Sequence, residues 1–439
     1  MEKQIRLLKI FSSIFFLLCT LHGVAQTNAA YVYKGAIKAN REKTYSNIVK
    51  NLISKNLSLP LTDSTEENWE DAFYAMEVIN FKQLWVIEKI KLAFNDINKR
   101  SVGFQRALME LLYTNYSTEF KNDISKLFLV TLNAKVFAMC GEYLLRSDKS
   151  KNNIVRISEI GQNKTHKYFL SDTSNFLTGY EFLWPILPAT KGENKEVKFN
   201  SGILLNKTFL INNIIVYSIQ RKNRNYPGIV IVRDKDGKFI TDDQGNIFSV
   251  PQLARSITNM PCYLTNGNTP QGIFRMYGFD VSKSAALGPT ENIQLTMPFE
   301  TSVQHFLKDS TIKDSVWTPE LYERLLPKAL KKYHPLFQTY YSSAIGRTEI
   351  IAHGTTVNPD YYKGKTYYPY TPTQGCLCTK EIWSDKDRKR IVSDQQKLVD
   401  AVKKAGGADG YLIVIEIDGR QKPVTINEVL PYIKAATKK

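Results

Sequence analysis

Two short segments carry the residue types of a thiol centre. They are Ile350-Ile351-Ala352-His353-Gly354-Thr355 and Thr373-Gln374-Gly375-Cys376-Leu377-Cys378. A histidine closes an apolar run, and 23 residues later a cysteine follows a glycine. A thiol is a weak nucleophile until it loses its proton, and a nearby imidazole favours that loss by pairing with the thiolate. The same imidazole can then hand the proton to a departing amine. Gly375 permits close backbone approach, and the amides of Gly375 and Cys376 could hold an oxyanion. The chemistry is acyl transfer through a cysteine thioester, with Cys376 the nucleophile and His353 the base. The alternative is a buried cysteine beside a strand-capping histidine. His305 and His334 are rival bases, but neither precedes a glycine at a strand end. A zinc site at Cys376 and Cys378 would need two more ligands, and His353 alone offers one. No metal or cofactor is expected.

The elements that must position this pair read as α+β. Residues 27–43 read as polar and loosely ordered, and from about Tyr45 to Leu145 the pattern is helical: Ala72, Phe73, Met76 and Ile79 recur at helical spacing, as do Leu84, Ile87 and Leu92. Similar runs at Asp71-Ala72-Phe73, Arg106-Ala107-Leu108 and Ala134 to Phe137 suggest stacked helical hairpins, with a plain bundle as the alternative. Residues 26–146 are therefore expected as a helical domain and 147–205 as a connector carrying the aromatic cluster Tyr180, Phe182 and Trp184. Residues 206–439 are expected as a mainly β domain with peripheral helices. Strands are expected at 209–219, 229–232, 348–352 and 411–417, and helices at 318–332, 393–405 and from Thr425. Asp234, Asp236, Asp242 and Asp243 read as hairpin turns, since they lack EF-hand spacing. The loop before Cys376 holds Tyr361, Tyr362, Tyr367, Tyr368 and Tyr370 around Lys363 and Lys365. It is read either as an aromatic wall for an anionic ligand or as a loop pinned by tyrosines.

The N-terminus reads as an export signal: Lys3, Arg6 and Lys9, an apolar stretch over residues 10–21, then Gly23-Val24-Ala25. Leu18 disfavours a lipoprotein anchor at Cys19. The leader carries those three cations against Glu2, so a chain beginning at Gln26 keeps +15 of the +17. Export argues against nucleic acid as the partner of this charge. It suits the anionic surfaces of a periplasm or cell envelope. After the leader four cysteines remain, too few and too irregular for a disulfide-stapled fold.

Taken with Thr269-Pro270-Gln271-Gly272, the segments His353-Gly354-Thr355 and Thr373-Gln374-Gly375-Cys376 resemble the L,D-transpeptidase (YkuD-type) catalytic domain, over roughly residues 209–420. The resemblance implies a β-rich fold and a cysteine acyl-enzyme. Its substrate would be a peptidoglycan stem peptide, cleaved after the third residue and passed to an amine as a 3-3 cross-link, or to water in an L,D-carboxypeptidase. It assigns Cys376 as nucleophile, His353 as base, the Gly354 carbonyl as the group orienting the imidazole, and Gly375 as part of the oxyanion hole. Thr373 supports the turn, and Thr373, Gln374, Cys378, Tyr367 and Tyr370 are the expected substrate-facing residues. The chain departs from the family pattern at Gln374, where many members have histidine, and at Cys378, where Asn or Arg is usual. The segment between Thr-Pro-Gln-Gly and His-Gly is also long, and includes an insertion over residues 317–332 read as a lid or a packing element.

Overall fold

The computed structural model describes residues 31–164 and 201–437. The expected leader, Cys19 and the Tyr180, Phe182 and Trp184 cluster lie outside the described residues. Ten strands follow in chain order: β1 (Ile214–Gln220), β2 (Gly228–Arg233), β3 (Val250–Leu253), β4 (Gly272–Asp280), β5 (Asn292–Thr296), β6 (Ala352–His353), β7 (Leu377–Thr379), β8 (Glu381–Trp383), β9 (Arg390–Ser393) and β10 (Asp409–Glu416). Eight close into a barrel in the order β1-β10-β4-β5-β6-β7-β3-β2, while β8 and β9 form a separate hairpin. With 43% helix, the fold is mixed helix and sheet.

The central strands β1 and β10 run parallel, Ile214 beside Gly410 through to Gln220 beside Glu416. Both are covered on two faces, so they read as continuous apolar runs rather than alternating ones. Val216, Phe274, Leu412 and Val414 line the barrel interior, with Leu398 and Val402 of the Asp394–Lys404 helix packed among them. Ile215, Tyr217 and Ile413 face outward onto the insertion and the C-terminal helix, Ile426–Thr437.

Three expected elements are shorter than the sequence suggests. The 209–219 strand begins only at Ile214, after left-handed Leu210 and Asn212. The 318–332 helix is a single turn, Pro319–Glu323, followed by a 3-10 turn at Lys328–Leu330, because Pro327 interrupts it. This insertion is packed: Trp317 and Tyr322 are buried, and the Tyr322 hydroxyl accepts the Ile273 amide at 2.8 Å. The 348–352 strand shrinks to β6, because Glu349 takes a left-handed φ of 62° and breaks the extension.

In the helical half, Glu66–Val78, Val102–Asn115 and Ala134–Ser147 lie side by side in chain order. Each carries one of the three similar runs. Ser101 and Asn133 cap the second and third by accepting amides at 3.1 Å. Residues 151–164, assigned to the connector, form a further helix that places Ile157 in the helical core. The Leu84–Ala93 helix buries Val86, Ile90 and Ala93 and exposes Leu84 and Leu92. Its apolar residues fall on every side, with Glu88, Lys89 and Lys91 between them, so periodicity could not choose its inward face. No helix among the described residues is long and apolar enough to cross a membrane.

The two halves share a core. Met260, Tyr263 and Leu264, from the loop between β3 and β4, pack into the helical cluster. Polar contacts reinforce it: the Tyr263 hydroxyl donates to Glu142, Asn266 Nδ2 donates to Glu110 at 2.9 Å, and the Tyr362 hydroxyl donates to the Val78 carbonyl at 2.8 Å.

Candidate active site

Parallel pairing of β6 and β7 brings the two thiol-centre segments together, with Ala352 beside Leu377 and His353 beside Cys378. Ile350, Ala352 and Leu377 point into the barrel. Strand alternation therefore puts His353, Cys376 and Cys378 on the outer face. For regular strands, Cys376 lies diagonally from His353 with Cα atoms about 8 Å apart.

The turn before Cys376 is braced from two directions. The Thr269 hydroxyl donates to the Gly375 carbonyl at 2.8 Å, joining Thr269-Pro270-Gln271-Gly272 to the cysteine segment. The Thr373 hydroxyl donates to the Cys376 carbonyl at 2.8 Å and accepts the Gly375 amide at 3.0 Å. The Gly375 amide is thus committed inside the turn, which corrects the expectation that it faces an oxyanion. Gly375 has φ of 118°, a conformation open to glycine.

His353 is buried, and its Nδ1 lies 2.5 Å from the Gly354 carbonyl. A carbonyl only accepts, so Nδ1 carries the proton and Nε2 is left as the basic atom. Burial pulls the imidazole down to about 4, against the Gly354 bond, which raises it. The ring is neutral at physiological pH. Gly354 in turn carries a buried carboxylate against its Cα: a methyl there would sit 2.3 Å from Glu381 Cδ. Glu381 Oε1 accepts the Thr290 and Ser393 hydroxyls, each at 2.6 Å.

Cys376 is half-buried, and its Sγ lies 3.5 Å from the Glu349 carbonyl. Burial pushes the thiol up to about 11, opposed by the Ile351 amide and the Arg347 guanidinium. With a neutral imidazole and a protonated thiol, the resting state is not the expected thiolate–imidazolium pair. Among the described residues no hydrogen bond joins His353 to Cys376.

Other expected site residues fall differently. Gln374 is exposed at the turn. Tyr370 is half-buried, with Lys380 Nζ 5.9 Å from its ring centre. Tyr367 is buried beneath Arg255, whose guanidinium lies 4.6 Å from the ring centre, so it pins the loop instead of facing a ligand. Cys378 is also buried, with Sγ 3.8 Å from the Thr371 hydroxyl, and does not open onto substrate. His305 and His334 sit exposed on short helical turns. Arg347, Glu349 and Glu381 were missed. Their spacing carries no signal, and Arg347 and Glu349 read only as polar residues at the start of the expected 348–352 strand. No group of three or more His, Cys, Asp and Glu side chains among the described residues is placed to hold a metal ion. The aspartates at 234 and 242 accept amides within their own turns.

No family model matches this chain, and neither a curated protein nor a solved structure is similar to it.

Proposed function

We propose that this protein is an exported, L,D-transpeptidase-like cysteine acyltransferase acting on peptidoglycan stem peptides in the periplasm or cell envelope. One observation carries the reading: three motifs distant in sequence come together on one side of the barrel. Thr269 bonds Gly375, Thr373 braces Cys376, and His353 shares their face of the barrel. The basic mature chain suits an anionic envelope surface.

In this mechanism Cys376 swings from the Glu349 carbonyl toward Nε2 of His353. As Sγ bonds to the carbonyl carbon of the stem's third residue, the thiol proton moves to Nε2. The Cys376 amide faces the growing oxyanion. Breakage of the C–N bond expels the terminal D-Ala, whose amine takes the proton from Nε2, and a thioester remains. An acceptor amine then attacks the thioester and gives its proton to Nε2. The departing sulfur takes that proton back. Water in place of the amine makes the enzyme an L,D-carboxypeptidase.

A second reading, a cell-wall scaffold with a degenerate centre, is favoured by the engagement of Sγ with Glu349 rather than His353. Incubation with a carbapenem, followed by intact-mass and peptide mapping, separates the two. The expected outcome is a covalent adduct on Cys376 that is absent in Cys376→Ala and forms at least about 100-fold more slowly in His353→Ala. Absence of an adduct on Cys376 would reject the transpeptidase reading and favour the scaffold. Tetrapeptide stems then distinguish cross-linked dimer from free tripeptide.

A further inference from the structure

Arg347 is the least expected group near Cys376. Its side chain is buried. Nη1 donates to the Cys262 carbonyl at 2.5 Å and the Asn268 carbonyl at 2.7 Å, and Nη2 to the Gly267 carbonyl at 2.8 Å. Among the described residues it forms no ion pair. All its bonds go to neutral carbonyls, so dipoles hold the guanidinium while its full charge is left without an anion. A buried cation in that state favours any nearby group that can become negative.

The guanidinium points at the nucleophile turn. A methyl group on Gly375 would meet Nη2 at 2.0 Å, so Arg347 lies directly on the Gly375 Cα, one residue from the thiol. We propose that Arg347 is the positioning residue of this centre: its buried, unpaired charge, seated against Gly375, stabilises the Cys376 thiolate as it forms. The proposal rests on Cys376 being the nucleophile, though not on the identity of the acyl donor. It also locates a cation for a sequence that carries Cys378 where a polar or basic residue would be expected. Here the charge comes from the segment before β6 rather than from β7.

The titratable groups facing this pair are few. Cys262 and Glu300 interact with Arg347. Glu349, Glu300 and Cys378 interact with Cys376. Glu300 accepts the amides of Met297 and Glu349, at 2.7 Å and 2.8 Å, and burial biases it toward its neutral acid. Burial lowers Arg347 to about 10, so it keeps its charge through neutrality. The acids oppose the thiolate, and among the described residues Arg347 is the cation that acts on it.

The test is alkylation of Cys376 by iodoacetamide in the full chain, followed by peptide mass spectrometry from pH 6 to 11. In the parent, the rate should climb with pH toward the raised thiol pKa, without a plateau near neutrality. Arg347→Met should move the profile upward by about one pH unit and slow labelling at pH 8 about tenfold, and Arg347→Lys should restore most of it. A folded Arg347→Met protein with an unshifted profile overturns the proposal. So does equal slowing in Met and Lys variants, which would mark Arg347 as a loop brace alone. A measurement on the parent keeps the idea testable should the variants not fold. A positive field raises the rate of anionic iodoacetate relative to neutral iodoacetamide above the ratio for free cysteine. A ratio equal to that of free cysteine refutes the proposal. These labelling assays need no cell-wall substrate. A normal Arg347 effect without a carbapenem adduct would reject the transpeptidase reading and leave this one standing.

Discussion

Gly375 meets constraints on three sides. Its φ is 118°, its carbonyl is held by Thr269, and its Cα lies against Arg347. Alanine there would place a methyl 2.0 Å from Nη2 and 2.7 Å from the Gly267 carbonyl. Arg347 is tied to three carbonyls and cannot retreat. Gly375→Ala should therefore cost about 2–4 kcal/mol and abolish Cys376 acylation. Urea unfolding and carbapenem labelling measure the two effects, and an unchanged midpoint would show that the turn can relax. The same reasoning explains the glycine after His353. Glu381, fixed by Thr290 and Ser393, occupies the space a side chain at Gly354 would need.

Among the elements, the insertion between β5 and β6 decides how rigid the barrel wall is. Tyr322 bridges it to β4: its hydroxyl accepts the Ile273 amide and lies 2.8 Å from both the Leu336 carbonyl and the Thr339 hydroxyl. Gly272 admits this close packing, since a methyl there would lie 2.4 Å from the Leu336 carbonyl. Tyr322→Phe leaves the Ile273 amide without its acceptor and should destabilise the protein by about 1–3 kcal/mol. A lid would behave otherwise, changing KM for a stem peptide while leaving the thermal midpoint in place. Strand pairing of β6 with β7 has a comparable role at the site. Two very short strands bring the histidine and cysteine segments together, and the extension of β6 stops where Glu349 adopts its left-handed conformation.

At the scale of the whole molecule, the helical half reaches the seat of Arg347 through the loop between β3 and β4. Glu110 and Glu142 hold Asn266 and Tyr263, and the neighbouring carbonyls of Cys262, Gly267 and Asn268 hold Arg347. Burial raises the Glu142 carboxyl from 4.5 to about 7, against the Tyr263 bond, which lowers it. Between those values the folded protein binds a proton that the unfolded chain has released. The stabilisation is whole below about pH 4.5 and is lost as pH rises through about 7. Glu70, raised to about 7, and Asp71, raised to about 6, both mainly by burial, act in the same sense. Unfolding midpoints should fall from pH 5 to pH 8, with Glu142 contributing on the order of 3 kcal/mol. Glu142→Gln should flatten part of that slope, and a slope unchanged in the variant would assign the pH dependence elsewhere.

The two segments that carry His353 and Cys376, the order of the three motifs, the strands β1, β2 and β10, and the helical half were legible in the sequence. Each is written in local residue types or in a periodicity only a few residues long. Tertiary structure alone decided the rest. It buried Tyr367 and Cys378, tied the Gly375 carbonyl to Thr269, chose the inward face of the Leu84–Ala93 helix and turned Arg347 inward. These outcomes depend on partners far along the chain: Gly375 is 106 residues from Thr269, and Arg347 is 80 from Gly267. Burial, hydrogen-bond commitment and proton affinity are set by whatever surrounds a group, and no local pattern records which distant residues will do so.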